Sequence, residues 1–122
     1  MYQYKAKVVK VVDGDTIDVV IDLGFDITTK KRVRFSGVNT PECRTRDLKE
    51  KKKGLAAKAR VKQILGENEC FDLHSEKLGK YGRVLGKIYI NKLDGKESFT
   101  KKCLNDILID EKHAIPYFGG KR

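Results

Sequence analysis

Residues 5–21 read KAKVVKVVDGDTIDVVI, and this stretch decides the fold of the chain. Lys5–Val12 and Thr16–Ile21 are both rich in β-branched residues, and the dipeptide Asp13-Gly14 stands between them. Two such runs joined by Asp-Gly predict a β-hairpin, because Asp and Gly tolerate the backbone angles of a tight turn. A third run of this kind, Arg32–Val38, extends the hairpin into a predicted three-stranded meander.

Helical patterns follow the meander. Thr40-Pro41-Glu42 is typical of a helix start, with Thr as the N-cap and Pro in the first turn. The lysine-rich residues 49–53 and Gly54 are expected to interrupt that helix. Apolar residues then recur at helical spacing from Leu55 to Gly66, and Leu104–Glu111 predicts a further short helix.

Two more strands complete the predicted elements. Cys70–His74 is a short strand candidate and Arg83–Ile90 a stronger one, followed by a turn at Asp94-Gly95. About five short strands, with a helix inserted after the third, predict a mainly β protein with helices, of the α+β class. The favoured architecture is the OB-fold, a five-stranded antiparallel barrel with an open face that often binds oligonucleotides.

The charge balance points to an acidic partner. The chain has 122 residues, enough for one domain spanning residues 1–122, and its 27 Lys and Arg exceed its 17 Asp and Glu to give a net charge of +10. Phosphates neutralised by such residues release counterions, so nucleic acid is a natural partner. A merely solvated basic surface is the alternative that composition leaves open.

The remaining composition predicts a soluble protein without metal-binding cysteines. No apolar run is long enough to cross a bilayer, and no signal-peptide pattern precedes the first strand. We therefore expect an unexported protein, cytoplasmic or of unknown location, that does not contact membranes, unless a leader has been removed. A monomer is expected as well. The cysteines Cys43, Cys70 and Cys103 are far apart and are interpreted as reduced thiols.

Four clusters carry residues suited to phosphate chemistry: Asp13-Gly14-Asp15-Thr16, Arg34 with Asn39-Thr40-Pro41-Glu42, Lys80-Tyr81-Gly82-Arg83, and Tyr117-Phe118. Taken alone, each has a simpler explanation as a turn, a helix cap, a solvated loop or terminal packing. Their order along the chain is more specific. In combination they resemble the staphylococcal nuclease family over residues 8–117, and this resemblance implies a five-stranded OB-type barrel with about three helices.

The resemblance implies a metal site and a general base. Asp15 matches the family's metal-binding aspartate, and Thr40 matches the residue whose backbone carbonyl faces the metal. Glu42 matches the glutamate that positions or deprotonates the attacking water. Tyr117 matches a tyrosine packed near the nucleotide, with Phe118 as its competitor for that role.

The resemblance also implies a set of phosphate-binding residues. Arg34 and Arg83 match two arginines that grip the phosphate, and Lys80 and Tyr81 match residues that contact a terminal phosphate. A guanidinium offers a planar fork of donors to phosphate oxygens and keeps its proton at working pH. Carboxylate and backbone oxygens, without His or Cys, favour Ca²⁺ as the metal.

One position departs from the family pattern. Asn39 stands where the family has a second metal-binding aspartate, so an amide oxygen replaces a carboxylate and the site loses one negative charge. The predicted function is a Ca²⁺-dependent nuclease that cuts DNA and RNA, single-stranded or locally melted, to 3′-phosphate and 5′-hydroxyl ends. The alternatives are a catalytically impaired module that binds nucleic acid, and a protein-interaction domain of the same fold.

Overall fold

The computed structural model describes residues 2–43, 45–78 and 84–117, and within them the chain forms eight strands and two helices. The elements are β1 (Tyr2–Asp13), β2 (Thr16–Asp22), β3 (Thr28–Phe35), β4 (Val38–Asn39), α1 (Leu48–Gly66), β5 (Phe71–Leu78), β6 (Val84–Leu93), β7 (Lys96–Cys103), α2 (Leu104–Asp110) and β8 (Ile115–Pro116). Among these residues, no helix combines the length and apolar character needed to cross a bilayer.

Five of the strands close into a barrel. The sheet runs β3-β2-β1-β5-β6-β7, and a parallel pairing of β3 with β6 closes the barrel, with Arg34 opposite Leu85. The predicted OB-like barrel is therefore confirmed, but its description as antiparallel is wrong at this one seam. An odd number of strands cannot alternate in direction all the way round, so one pair in a five-stranded barrel has to be parallel.

The predicted hairpin is confirmed at the Asp-Gly turn. β1 and β2 pair antiparallel from Lys5 opposite Asp22 to Asp13 opposite Thr16. A register shift between Val8 and Lys10 interrupts the alternation of β1. The first strand consequently exposes part of its valine run while still supplying the barrel core.

Helix α1 begins later than the first predicted helix and earlier than the second. Thr40–Glu42 is not helical, and the helix begins at Leu48, with the Asp47 carboxylate accepting from the backbone N–H of Lys49 at 3.0 Å. The lysine run that was expected to break a helix forms its first turns, because lysine is a good helix former. Two helices in the described residues replace the three expected.

Gly54 lies inside α1 for a steric reason. A Cβ atom at this position would lie 2.5 Å from the backbone oxygen of Glu42 and 2.7 Å from that of Pro41. Only a residue without a side chain lets the helix approach this loop so closely. The helix and the loop that carries Glu42 are thus packed backbone to backbone.

The other predicted elements need smaller corrections. The helix expected over Leu104–Glu111 is observed as α2, and the strand candidate Cys70–His74 is observed as Phe71–Leu78. β7 was missed, since it lies at the sheet edge and exposes most of its side chains. Without a buried face it has no apolar alternation to reveal it.

The core fills the barrel and the space between the barrel and the helices. Its members are fully buried apolar side chains from the barrel strands, from α1 and from α2. They include Ile17, Val19, Val33, Phe35, Leu73, Ile88, Val61, Ile64, Leu104 and Leu108. The three cysteines are free thiols, as predicted. This core fixes the turn after β1 and the end of β3, where the candidate site lies.

Candidate nucleic-acid site

Asp15 anchors the site from the turn between β1 and β2. Its side chain is buried, and one carboxylate oxygen accepts the hydroxyl of Thr16 at 3.0 Å. The other oxygen, Oδ2, accepts the backbone N–H of Thr40 at 3.2 Å and lies 3.2 Å from Nη1 of Arg34. A single carboxylate thereby joins the hairpin turn, β3 and the loop after β4.

Gly14 allows this convergence. A Cβ atom here would lie 2.8 Å from the Cβ of Ala57 in α1 and 3.1 Å from Oγ1 of Thr40. The Asp-Gly dipeptide therefore serves two purposes, because it turns the chain and also lets α1 and Thr40 pack against the turn. Sequence patterns showed only the first purpose.

Arg34 is held by backbone carbonyls as well as by Asp15. Its Nη1 donates to the carbonyl oxygen of Val38 at 3.0 Å and to that of Phe35 at 3.3 Å, and its Nη2 lies 3.5 Å from Oδ1 of Asn39. The guanidinium side chain is 18% exposed. It is thus fixed in orientation at the rim of the barrel while still reaching solvent.

Strand β4 and the loop after it carry the next predicted residues. β4 pairs with β8, which places Asn39 opposite Ile115. Thr40 is buried, whereas the side chain of Glu42 is exposed. The chain therefore emerges from the core between Thr40 and Glu42, immediately beside Asp15.

Two cavities adjoin β4, each with a volume of about 510 Å³. The first, here called the Arg34 cavity, includes Arg34, Ser36, Val38, Lys87 and Tyr117 in its lining. The Tyr117 backbone N–H donates to the carbonyl of Gly37 at 2.8 Å, which holds Tyr117 at this cavity.

The second cavity, here called the Lys53 cavity, is lined by the paired residues Asn39 and Ile115 of β4 and β8. Its lining includes the loop from Asn39 to Glu42 together with Glu50, Lys53, Lys112 and His113. The predicted residues Asp15, Arg34, Asn39 and Thr40 meet through the contacts above, while Glu42 and Tyr117 lie in the adjoining cavities. Lys80, Tyr81, Arg83 and Phe118 lie outside the described residues.

Sequence reasoning missed two side chains that support the site. Asn105, the second residue of α2, is buried; its amide donates to the carbonyl of Ser36 at 2.7 Å, and its oxygen accepts the backbone N–H of Ile88 at 3.2 Å. Glu76 accepts the hydroxyl of Ser36 at 2.6 Å. A buried asparagine at a strand seam leaves no periodic pattern in the sequence.

Cys43, one residue after Glu42, is not equipped to act as a nucleophile. The thiol is buried, and burial raises the pKa of Cys43, with the hydrogen bond and charge of Asp13 adding to the increase. The thiolate is the reactive form of cysteine. Cys43 therefore stays in its less reactive, protonated form.

The fold and the site together define a class of protein: a small basic barrel of the OB type with a carboxylate–arginine pair at its rim and an exposed glutamate beside it. The family model described as staphylococcal nuclease homologue matches residues 32–120. The chain belongs to the staphylococcal nuclease family.

The chain is also similar to three curated proteins. The chain is 27% identical over 119 residues to the micrococcal nuclease of Shigella flexneri, covering 93% of this chain and 59% of that protein. It is 29% identical over 89 residues to protein ParB of Escherichia coli, covering 73% of this chain and 44% of that protein. It is 32% identical over 120 residues to the uncharacterized protein MJ1439 of Methanocaldococcus jannaschii, covering 83% and 56%. The chain spans about half the length of these curated relatives.

Proposed function

We propose that this chain is a Ca²⁺-dependent nuclease that hydrolyses phosphodiester bonds in DNA and RNA with little base specificity. Its products would be 3′-phosphate and 5′-hydroxyl ends. The observation that carries the proposal is the contact between Asp15, Arg34 and Thr40 at the barrel rim. Glu42 is exposed two residues after Thr40. Likeness to a micrococcal nuclease supports the same conclusion.

Arg34 is suited to bind the scissile phosphate. Phosphodiester hydrolysis places extra negative charge on the nonbridging oxygens, so fixed donors aimed at those oxygens lower the barrier. Three carbonyl and carboxylate oxygens orient the guanidinium of Arg34 in advance. An arginine that is already oriented needs little rearrangement when the phosphate binds.

Glu42 is proposed as the general base. Its exposed carboxylate can accept a proton from a water molecule, and the backbone beneath it is held by close packing against Gly54. General-base assistance of this kind is typically worth about 10²–10⁴ in rate. Water attacks directly, so no covalent enzyme intermediate is required.

The residues proposed to hold the metal are Asp15, Asn39 and Thr40. A carboxylate, an amide oxygen and a backbone oxygen are the hard ligands that Ca²⁺ accepts, so the donor types fit. A bound cation would supply further positive charge near the phosphate oxygens. In the described residues no three groups among His, Cys, Asp and Glu are arranged so that they could hold a metal ion. We therefore expect weak affinity, especially since the Asp15 carboxylate already pairs with Arg34.

The remaining roles rest on the family resemblance. Arg83 would bind the same phosphate as Arg34, and Lys80 and Tyr81 would contact a terminal phosphate. Tyr117 lines the Arg34 cavity and would pack near the nucleotide. All these groups would contact phosphate or the face of a base, which explains an expected tolerance of sequence.

The second candidate function is nucleic-acid binding without catalysis. The observation that favours it is the neutral Asn39, whose amide oxygen lies 3.5 Å from the Arg34 guanidinium. With one carboxylate fewer than the family pattern, the site could bind phosphate through Arg34 and fail to hold the cation. The two candidates share the same surface and differ only in turnover.

A cleavage assay separates these candidates. Purified protein is incubated with end-labelled single-stranded DNA or RNA, with Ca²⁺ or with a chelator, and product ends are identified by mass. We expect cleavage with Ca²⁺, none with the chelator, and 3′-phosphate ends. Salt-sensitive binding without cleavage at any Ca²⁺ concentration would favour the binding module instead.

A further inference from the structure

The Lys53 cavity contains two lysines that the proposed catalytic machinery does not use. Lys53 belongs to α1 and Lys112 to the turn after α2, so their side chains reach one cavity from separate parts of the chain. Both side chains are exposed. The same cavity is lined by Asn39–Glu42, which connects it directly to the proposed active site.

The backbone at Lys112 is strained. It has a φ angle of +64°, in the left-handed region, at the position after a helix where glycine or asparagine is usual. Its N–H donates to the carbonyl of Ile109 at 3.0 Å, and the preceding Glu111 is bound by Arg60. These contacts fix the backbone from which the Lys112 side chain enters the cavity.

Lys53 lies at the cavity because α1 packs closely against the loop that carries Glu42. The neighbouring Gly54 touches the backbone of Pro41 and Glu42, which brings the first half of the helix against the loop. Glu50 precedes Lys53 by about one turn and lines the same cavity. The position of Lys53 is therefore fixed relative to Glu42 by backbone packing.

The β4–β8 pair relates this cavity to the Arg34 cavity. Val38 and Tyr117 line the Arg34 cavity, whereas Asn39 and Ile115 line the Lys53 cavity. Val38 pairs with Pro116 and Asn39 with Ile115, so one step along the two strands leads from one cavity to the other. A polynucleotide bound at Arg34 and continuing past Glu42 would enter the Lys53 cavity.

We propose that Lys53 and Lys112 form a second phosphate subsite, which binds the polynucleotide backbone on the far side of Glu42 from Arg34. This proposal rests on the proposed function, because that function places the first phosphate at Arg34. A strand passing this way meets the carboxylates of Glu42 and Glu50, which repel its phosphates. The two ammonium groups offset that repulsion and extend the binding site from one phosphodiester to several.

The subsite is tested by binding measurements on oligonucleotides of two lengths. The probes are a thymidine dinucleotide, which has one phosphodiester, and a thymidine octanucleotide. The double variant Lys53→Gln/Lys112→Gln should bind the octanucleotide several-fold more weakly and the dinucleotide as the wild type does. The slope of log K against log salt for the octanucleotide should become shallower by about 0.7 for each phosphate that the variant no longer neutralises.

Two further variants test whether the charge inside the Lys53 cavity controls the affinity for the octanucleotide. Glu50→Gln should tighten binding of the octanucleotide only, because it removes a repelling charge from the same cavity. Lys51→Gln is the matched control, since it lies in the same lysine run but two residues round the helix from Lys53. It should change the affinity for the octanucleotide much less than the double variant does.

The outcomes distinguish the subsite from the catalytic proposal. Equal weakening of both probes, no weakening of either, or an equal effect of Lys51→Gln would overturn the subsite, as would a wild type that binds neither probe. A wild type that binds both probes without cleaving them would contradict the nuclease proposal and leave the length comparison to decide the subsite.

Discussion

Arg34 and Arg60 are both bound by carboxylates, but their surroundings differ. Arg60, in the middle of α1, donates to Glu111 at 2.7 and 2.8 Å, to Asp94 at 2.8 and 3.1 Å and to Gln63 at 3.2 Å. Arg34, at the barrel rim, contacts one carboxylate and otherwise donates to neutral oxygens.

The difference lies in how much positive charge remains available. Two carboxylates surround Arg60, and its donors all end on side chains from α1, the β6–β7 turn and the turn after α2. Arg34 faces one carboxylate and opens on a cavity. Arg60 holds three elements together, whereas an oriented arginine that faces a cavity is placed to bind a phosphate.

The largest expected effect separates activity from stability at the site. Glu42→Gln should lower the turnover number by about 10²–10⁴, since an amide cannot accept the proton from water. Because the Glu42 side chain is exposed, the free energy of unfolding should change by less than about 0.5 kcal/mol. Single-turnover cleavage and thermal unfolding are measured on the same preparation, and an unchanged rate would remove Glu42 from the mechanism.

At Arg60 we expect the reverse pattern. Arg60→Met leaves two carboxylates facing each other without their cation, and the free energy of unfolding should fall by about 1–3 kcal/mol. Denaturant unfolding measures this loss. Arg32→Met is the matched control, because Arg32 also pairs bidentately with a carboxylate, Asp18, but at the surface. An equal loss in the two variants would show that the Arg60 cluster is no more than a surface ion pair.

Acid should weaken the Arg60 cluster. The hydrogen bond from Arg60 lowers the pKa of Glu111, and it does the same for the pKa of Asp94. A carboxyl group with a lowered pKa stabilises the fold above its ordinary pKa, and this contribution is lost as pH falls through the lowered value. The difference in unfolding free energy between wild type and Arg60→Met should therefore shrink as pH falls from about 5 towards 3. A constant difference would contradict the assigned ion pairs.

The smallest predicted effect tests whether the charge at position 39 influences Ca²⁺ binding. Asn39→Asp adds a carboxylate beside Asp15 and should lower the Ca²⁺ concentration for half-maximal cleavage, less strongly at high salt. Thr100→Asp, which adds the same charge on the exposed strand β7, is the control. Identical Ca²⁺ dependence in wild type and Asn39→Asp would show that residue 39 does not contact the metal.

The hairpin and helix α2 were predictable from the sequence, whereas the start of helix α1 was not. The hairpin followed from Asp13-Gly14 between two β-branched runs, and α2 from its apolar spacing. The start of α1 was wrong because Gly54 was taken as a break, although the close approach of Glu42 requires it. Side-chain patterns describe faces of an element and carry no information on which backbones touch.

The candidate site depended on family resemblance, since Asp15, Arg34 and Thr40 taken singly indicated only turns and caps. The Arg60 cluster had no sequence indication at all. Arg60 is separated from Asp94 by 34 positions and from Glu111 by 51. Long-range ion pairs leave no periodicity, so only the folded chain could reveal that this arginine is structural.

The central claim is that Arg34 binds substrate and Arg60 stabilises the fold, and a paired lysine exchange tests it most directly. Arg34→Lys and Arg60→Lys each keep the charge and lose the planar fork of donors. Cleavage of single-stranded DNA with Ca²⁺ and the melting temperature are measured for both variants. We expect Arg34→Lys to lose at least about tenfold in cleavage rate with little change in melting temperature. Arg60→Lys should melt earlier and cleave normally while folded. Full activity in Arg34→Lys, or equal losses of activity in both variants, would contradict this account.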